Sequence, residues 1–195
     1  MSNKGFYIEA DAPIYVNLRY RASAQGSGMV SKGEAALGKS FRNGGFTNGR
    51  PSSDYYLNFA SVMAVEAGTT TVTFSDIFSM IPEASGYPDI EEYDETYDTE
   101  GNINDIVVEL DQFETFVVAM KAARWGDVED PGTGNQGDPY PIANRDALVG
   151  MSIESSKNIA VISGGANGSM TETETGRDHG IDQIVGYDKA GTEFC

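Results

Sequence analysis

His179 is the only histidine in the sequence, and acidic residues stand on both sides of it, Asp178 before and Asp182 after. Hydroxyl side chains upstream would complete a Ser–His–Asp arrangement, and the candidates are Ser163, Ser169 and Thr175. Such a nucleophile normally lies in a Gly-x-Ser-x-Gly turn, which the sequence lacks. We therefore interpret the stretch around His179 as structural. Asp178 and Asp182 either cap turns by accepting backbone N–H bonds or share a cation.

A second group of candidate ligands lies in the middle of the chain, where no Lys or Arg occurs between Arg50 and Lys121. Ca²⁺ takes about six to eight oxygen ligands and tolerates irregular geometry. An EF-hand loop with Gly101 in its sixth position would start at Thr96 and end at Val107, so both terminal carboxylates are missing. The remaining hypothesis is a looser calcium site, and its ligands would be Asp94, Asp98, Glu100 and Asp105.

The same acids also have two other interpretations. They form a solvated acidic loop, about 82–104, that keeps the protein soluble, or they dock on the basic N-terminal region of a neighbouring copy or partner. Tyr87, Tyr93 and Tyr97 interleave with the acids. Exposed tyrosines are common at recognition surfaces, so these three are the predicted contact residues.

Composition excludes several classes of function. The chain has 195 residues, a formal net charge of −17 and one cysteine. Residues 1–50 carry seven basic and three acidic side chains, whereas the rest carries six basic and 27 acidic ones. Nucleic acid and anionic lipid need clustered basic residues, so neither is an expected partner. One cysteine excludes an intrachain disulfide, and no apolar run is long enough for a membrane span.

Strands must position most of these residues. Residues 14–21 alternate apolar and polar side chains, which predicts a strand with one half-buried face, Ile14 to Tyr20. Three hairpins are also predicted, each from two apolar or β-branched runs around a short turn. They comprise 55–66 with 69–76, 105–110 with 115–122, and 148–154 with 158–163.

One short helix is predicted near 31–38, because Ser31 and Glu34 fit a capping box and Gly38 suits a helix end. A Gly-rich loop is expected at about 126–141. The predicted fold class is all-β, with antiparallel sheets in a sandwich or a repeated-sheet array. Strand-like residues at both ends predict that residues 1–195 are a single β-rich segment of a longer chain.

Two motifs carry a family resemblance. Residues 31–42 read SKGEAALGKSFR, and residues 177–184 read RDHGIDQI. Together with residues 13–19, 147–164 and 191–194, they resemble the N-terminal type of IgGFc-binding-protein domain in very large surface proteins of gliding Bacteroidota. That resemblance implies a segment of a secreted adhesin at the cell surface, and it supplies no catalytic residues.

The sequence and the resemblance together predict a non-enzymatic structural or adhesion module of a large secreted surface or filament protein. Its expected partners are other segments or copies of that protein, or surface glycans and proteins. The alternative is a Ca²⁺-dependent or carbohydrate-binding module. No cofactor is expected apart from the calcium of that alternative.

Overall fold

The computed structural model describes residues 6–22, 25–45, 57–77, 105–121, 148–168 and 178–189. Within these ranges the chain forms antiparallel strands and two 3-10 turns, which confirms the predicted all-β class. The predicted acidic loop 82–104 and Gly-rich loop 126–141 lie outside the described residues. The strands are β1 (Asn17–Ala22), β2 (Gln25–Val30), β3 (Gly38–Arg42), β4 (Leu57–Ala64), β5 (Thr70–Ser75), β6 (Ile106–Leu110), β7 (Thr115–Lys121), β8 (Ser152–Gly168) and β9 (Asp178–Ile184).

The long strand β8 lies at the centre of a seven-stranded sheet, because both of its edges carry partners. Along one edge, residues 152–155 pair with β5 and residues 159–166 pair with β4. Along the other edge, β8 pairs with β3 and β9. β6 completes the sheet beside β5, and β7 completes it beside β4. The remaining strands, β1 and β2, form a separate two-stranded ribbon.

The three predicted hairpins are wrong, although the strands themselves are present. β4 and β5 do not pair with each other but follow one another along β8, both antiparallel to it. β6 and β7 follow one another in the same way beside β5 and β4. Residues 152–168, expected to contain a turn, form one continuous strand. The first two predicted reversals are therefore corners, after which the chain continues in its earlier direction, and the third lies inside β8.

Residues 111–114 lie against the corner 65–69, which in turn lies against residues 155–158 of β8, and we call these three segments the corner layer. The backbone N–H of Phe113 donates to the Ala64 carbonyl at 2.7 Å. Glu66 Oε1 accepts from the backbone N–H of Asn158 at 3.0 Å, and Lys157 Nζ donates to the Ala67 carbonyl at 2.7 Å. These bonds satisfy backbone groups that the interrupted ladders leave open.

The core lies on the inner face of this curled sheet. β5 and β6 alternate buried and less buried residues, as expected for strands with one face on a core. The side chains that fill this core are completely buried. They include Phe41, Val62, Phe74, Val118, Ile153 and Val161.

The predicted helix is a single 3-10 turn, Gly33–Ala36. Gly33 has a φ of +58°, which a right-handed helical turn does not use, and Leu37 is already extended. The capping box is not formed, since the Ser31 hydroxyl accepts from the backbone N–H of Gly33 at 3.3 Å instead of the N–H of Glu34. No helix in the described ranges has the length and apolar character that a membrane span requires.

Gly164 marks a close approach of β8 to its neighbours, and its replacement tests the packing of the sheet. A Cβ there would meet the Gly180 carbonyl oxygen and lie 2.9 Å from Cζ of Phe59. We expect Gly164→Ala to lower the free energy of unfolding by about 2–3 kcal/mol, as overpacking does. Gly44→Ala is the control, because a Cβ there meets nothing within 4 Å. Urea unfolding measures both, and equal effects would contradict the packing.

Candidate binding surface

The ribbon of β1 and β2 presents one backbone edge away from the sheet. Asn17 pairs with Val30 at one end of the ribbon and Ala22 with Gln25 at the other. The backbone N–H of Ser31 donates to the Val16 carbonyl at 3.0 Å, so residue 16 belongs to a hydrogen-bonded pair. Because such pairs alternate along an antiparallel ladder, residues 18 and 20 bond to β2. The N–H and C=O groups of residues 17, 19 and 21 point the other way, and we call them the ribbon edge.

The ribbon has one basic face. Arg19 lies opposite Gly28 and Arg21 opposite Gly26, so no side chain of β2 stands across from either arginine. Cγ of Arg19 lies 3.6 Å from the position that a Cβ of Gly28 would take. The arginine stem therefore covers the glycine backbone, while both arginines remain exposed.

The other face of the ribbon carries Leu18 and Tyr20. The sequence predicts a half-buried face here, but Ile14, Leu18 and Tyr20 are all exposed in the structure. The ring of Tyr20 contacts that of His179 on β9, with centroids 5.2 Å apart. β1 therefore packs against the sheet by this aromatic contact, and about two fifths of the area of Leu18 and Tyr20 stays accessible, 41% and 42%.

Side chains of β9 hold β2 in place, and we call this contact the β2–β9 junction. Asp178 Oδ1 accepts from the backbone N–H of Gly26 at 2.7 Å. Gln183, which is buried, accepts with Oε1 from the Ser31 hydroxyl at 3.2 Å and from the Lys32 backbone N–H at 2.5 Å. Both acceptor positions of the Gln183 oxygen are thus used.

Lys32 adds a charged contact to the junction. Its ammonium group lies 2.7 Å from Asp182 Oδ2 and also donates to the Gln183 carbonyl. Because the Lys32 and Asp182 side chains are largely exposed, this ion pair contributes less than about 1 kcal/mol. The buried amide of Gln183 is the stronger part of the junction.

The junction brings the two sequence motifs into direct contact. Residues 31–32 belong to the first motif and residues 178–183 to the second, and they contact each other directly. Further along, the backbone N–H of Gly186 donates to the Ala36 carbonyl at 3.3 Å. A Cβ at Gly38 would lie 2.9 Å from the Gly186 Cα, so this approach requires glycine. The motif residues therefore position the ribbon.

His179 takes part in the same structural region. Asp178 Oδ1 accepts from the backbone N–H of His179 at 3.0 Å. The Ser163 hydroxyl donates to the Gly44 carbonyl at 2.9 Å. Ser169 and Thr175, the other hydroxyls considered, lie outside the described residues. These bonds give Asp178 and Ser163 backbone partners, consistent with the structural interpretation of this stretch.

The predicted ligands and contact residues are only partly within the described chain. Asp178 and Asp182 lie on β9 with the partners given above, and a cation shared by them stays a prediction. Asp105 is exposed directly before β6. Among the described residues, no three His, Cys, Asp or Glu side chains group as a metal site would require. The other predicted residues lie outside the described ranges: Asp94, Asp98, Glu100, Tyr87, Tyr93 and Tyr97.

Sequence reasoning missed the ribbon as a surface. The segment before it, residues 6–16, also exposes large apolar side chains, with Phe6 at 82% and Tyr15 at 92% of their area. Tyr7 of this segment stacks on Phe113 of the corner layer, at 4.8 Å between ring centroids. The overlooked signal was the pairing of an Arg-x-Arg strand with a Gly-x-Gly strand, which leaves the arginines uncovered.

Removal of the Gln183 acceptor tests the junction. We expect Gln183→Met to lower the free energy of unfolding by about 1–2 kcal/mol, because the Ser31 hydroxyl and Lys32 N–H lose their shared acceptor. Gln112→Met is the matched control, since that exposed side chain makes one hydrogen bond to the Val65 carbonyl. It should change stability by less than about 0.5 kcal/mol. Denaturant unfolding measures the free energy of unfolding of both variants. An unchanged value for Gln183→Met would contradict the role assigned to Gln183 in the junction.

The Asp178 carboxylate gives the junction a pH dependence. The backbone N–H of Gly26, and secondarily that of His179, hold the pKa of Asp178 below its ordinary value of 3.8. Because the folded-state pKa is lowered, the contribution of the Asp178 carboxylate to folding stability is present above the unfolded-state pKa. It is lost as the pH falls through the folded-state pKa. We expect the Gly26 amide resonance to shift with the Asp178 titration, at a midpoint below 3.8. A Gly26 shift that persists in Asp178→Asn would contradict this.

Comparison with known proteins agrees with the resemblance of the two motifs. Residues 26–195 match the family model described as IgGFc binding protein. The match includes both motifs, the junction and strands β3 to β9, and it begins after β1. Neither the curated proteins nor the solved structures contain a match. Since the family model covers all but the first 25 residues, the chain belongs to the IgGFc binding protein family.

Proposed function

We propose that this chain is a non-enzymatic adhesion module of a larger secreted protein of the cell surface or of extracellular filaments. Membership of a binding-domain family supports a binding role. The gliding surface of Bacteroidota, which the motif resemblance implies, is the setting that we propose for the whole protein. The expected partners are other copies or segments of that protein, or proteins and glycans of a facing surface.

The observation that carries the proposal is the exposed apolar surface of residues 6–20. Monomeric proteins rarely leave contiguous apolar patches uncovered, and such patches mark interaction sites. Phe6, Tyr7, Ile8 and Tyr15 are all more than half exposed. Aromatic side chains are enriched where proteins meet partners, because they bury a large area with few rotatable bonds. Residues 6–16 precede β1 directly in the chain, and the ribbon edge of β1 offers backbone hydrogen bonds as well.

The alternative is a Ca²⁺-dependent or carbohydrate-binding module. It rests on the candidate ligands Asp94, Asp98, Glu100 and Asp105, and on the exposure of Asp105 before β6. Under this alternative, binding to a sugar would require calcium and would not depend on the aromatic side chains of residues 6–20. A chelator therefore separates the two functions.

A binding assay with two point variants tests the proposal. The probes are an IgG Fc fragment and a glycan array, each with and without EDTA. The family name alone does not transfer antibody binding to this chain, so Fc serves as one protein probe. We expect saturable, chelator-independent binding that Tyr15→Ser weakens at least about fivefold, because an exposed anchor is lost. Tyr187→Ser is the control, since that side chain is also exposed, by 69%, and belongs to the 3-10 turn Tyr187–Lys189 and not to residues 6–20.

The melting temperature should be the same in both variants, because both side chains are exposed. Sugar binding that EDTA abolishes would support the calcium alternative. Absence of binding to either probe, or equal binding by both variants, would overturn the proposed adhesion surface.

A further inference from the structure

We infer that the ribbon edge binds an extended acidic peptide as an additional β-strand, with carboxylates at alternate positions facing Arg19 and Arg21. This inference rests on the proposed function and names the kind of partner. The occupant is an acidic segment of another protein, in extended conformation, with the pattern acid–apolar–acid. Backbone pairing supplies affinity in this mode, and the side chains supply selectivity.

The backbone of the edge is ready to pair. Residues 17, 19 and 21 direct their N–H and C=O groups away from β2, and no described strand pairs with β1 on that side. A row of unpaired groups on an edge strand is a template for another strand. The opposite edge of β1 is bonded to β2, Asp178 holds β2 at Gly26, and Gln183 holds the residues directly after it, Ser31 and Lys32. The edge is therefore preorganised, which lowers the entropic cost of binding.

The side chains select for acids. Arg19 and Arg21 lie on one face, two residues apart, with glycines across from them. The ion pairs among the described residues are Lys32–Asp182 and Arg42–Asp76, so no described carboxylate neutralises either arginine. An incoming strand presents alternate side chains to the same face. Carboxylates at positions i and i+2 of that strand would lie opposite the two arginines.

The residue between the two acids is also constrained. It lies on the other face of the extended ribbon, beside Tyr20 and Leu18, which are 42% and 41% exposed. Aliphatic or aromatic side chains pair well with an aromatic residue across a ladder. The preferred peptide therefore reads acid–apolar–acid. This sequence contains that pattern in Asp89-Ile90-Glu91 and Glu92-Tyr93-Asp94, which makes residues 88–95 a convenient synthetic probe.

Fluorescence anisotropy with the full chain and a labelled 88–95 peptide tests the inference. Asn17→Pro removes one edge N–H and keeps both arginines, and the first position of an edge strand tolerates proline. We expect it to weaken binding by about three- to tenfold, whereas Asn17→Ala should bind like the unmodified chain. Thermal unfolding of both variants confirms that the ribbon is intact. Equal binding by the two variants would overturn strand addition.

The charge requirement is tested separately. Arg19→Gln and Arg21→Gln should each weaken binding by about two- to fivefold at low salt, and less at high salt, where exposed charges are screened. A peptide with Asn and Gln in place of its acids should bind no better to the unmodified chain than to these variants. Insensitivity to both changes would overturn recognition by the arginines. If the chain self-associates through the same arginines, the assignment of a separate protein as the partner is wrong, and the partner is a second copy of this chain.

The two proposals fail in different ways. If the peptide does not bind but Tyr15-dependent binding to a protein or glycan probe persists, the ribbon edge is wrong and the adhesion function stands. If the peptide binds and the Tyr15-dependent binding is absent, the adhesion function is wrong.

Discussion

The arrangement of the whole sheet depends on the change of partners along β8. Residues 152–155 lie between β3 and β5, whereas residues 161–165 lie between β4 and β9. A single strand therefore belongs to both halves of the sheet and fixes their relative positions. Because the neighbouring strands must turn where β8 exchanges partners, the corners 65–69 and 111–114 stack beside it. The curled shape that encloses Phe41, Phe74 and Ile153 follows from this constraint.

Polar contacts hold the ribbon against that sheet. β2 lies along β9, and the side chains of Asp178, Gln183 and Lys32 form hydrogen bonds that join β2 and the residues directly after it to β9. Such bonds are directional, so they fix where β2 lies without adding a large apolar contact area. The side chains that form these bonds belong to the two sequence motifs, 31–42 and 177–184. Their role is to hold β2, and through β2 the ribbon edge.

Local patterns predicted the strands correctly because alternation and β-branched residues act over a few neighbours. Val72, Phe74, Val108 and Leu110 are buried as the alternation of their strands indicates. The sequence also predicts the positions of the turns at Ala67-Gly68 and Asp111-Gln112 correctly. It does not predict the direction in which the chain continues after each turn. A turn residue interrupts the hydrogen-bonded ladder of a strand, and Gly68, with a φ of +73°, is such a residue. Whether the chain reverses or turns a corner after Gly68 depends on β8, which begins more than 80 residues later in the sequence.

The ribbon was predicted less well for a related reason. Alternation in residues 14–21 indicates a strand, yet it does not say whether anything covers the apolar face. Tyr20 remains partly exposed because the residue across from it on β2 is Ser27, which is too small to cover its ring. The junction with β9 joins residues about 150 positions apart and was therefore not visible in either motif alone.

A ribbon held mainly by polar contacts opens at a lower free energy than the core strands, because local stability follows buried apolar area. Its edge is nevertheless ordered while the junction is formed. A strand added to β1 binds only the closed ribbon, so binding and closure stabilise each other. The junction residues are thus coupled to the ribbon edge although they do not contact the bound strand. Two groups of residues therefore serve the same binding surface. Asp178, Gln183 and Lys32 position the ribbon, and Arg19 and Arg21 recognise the bound strand.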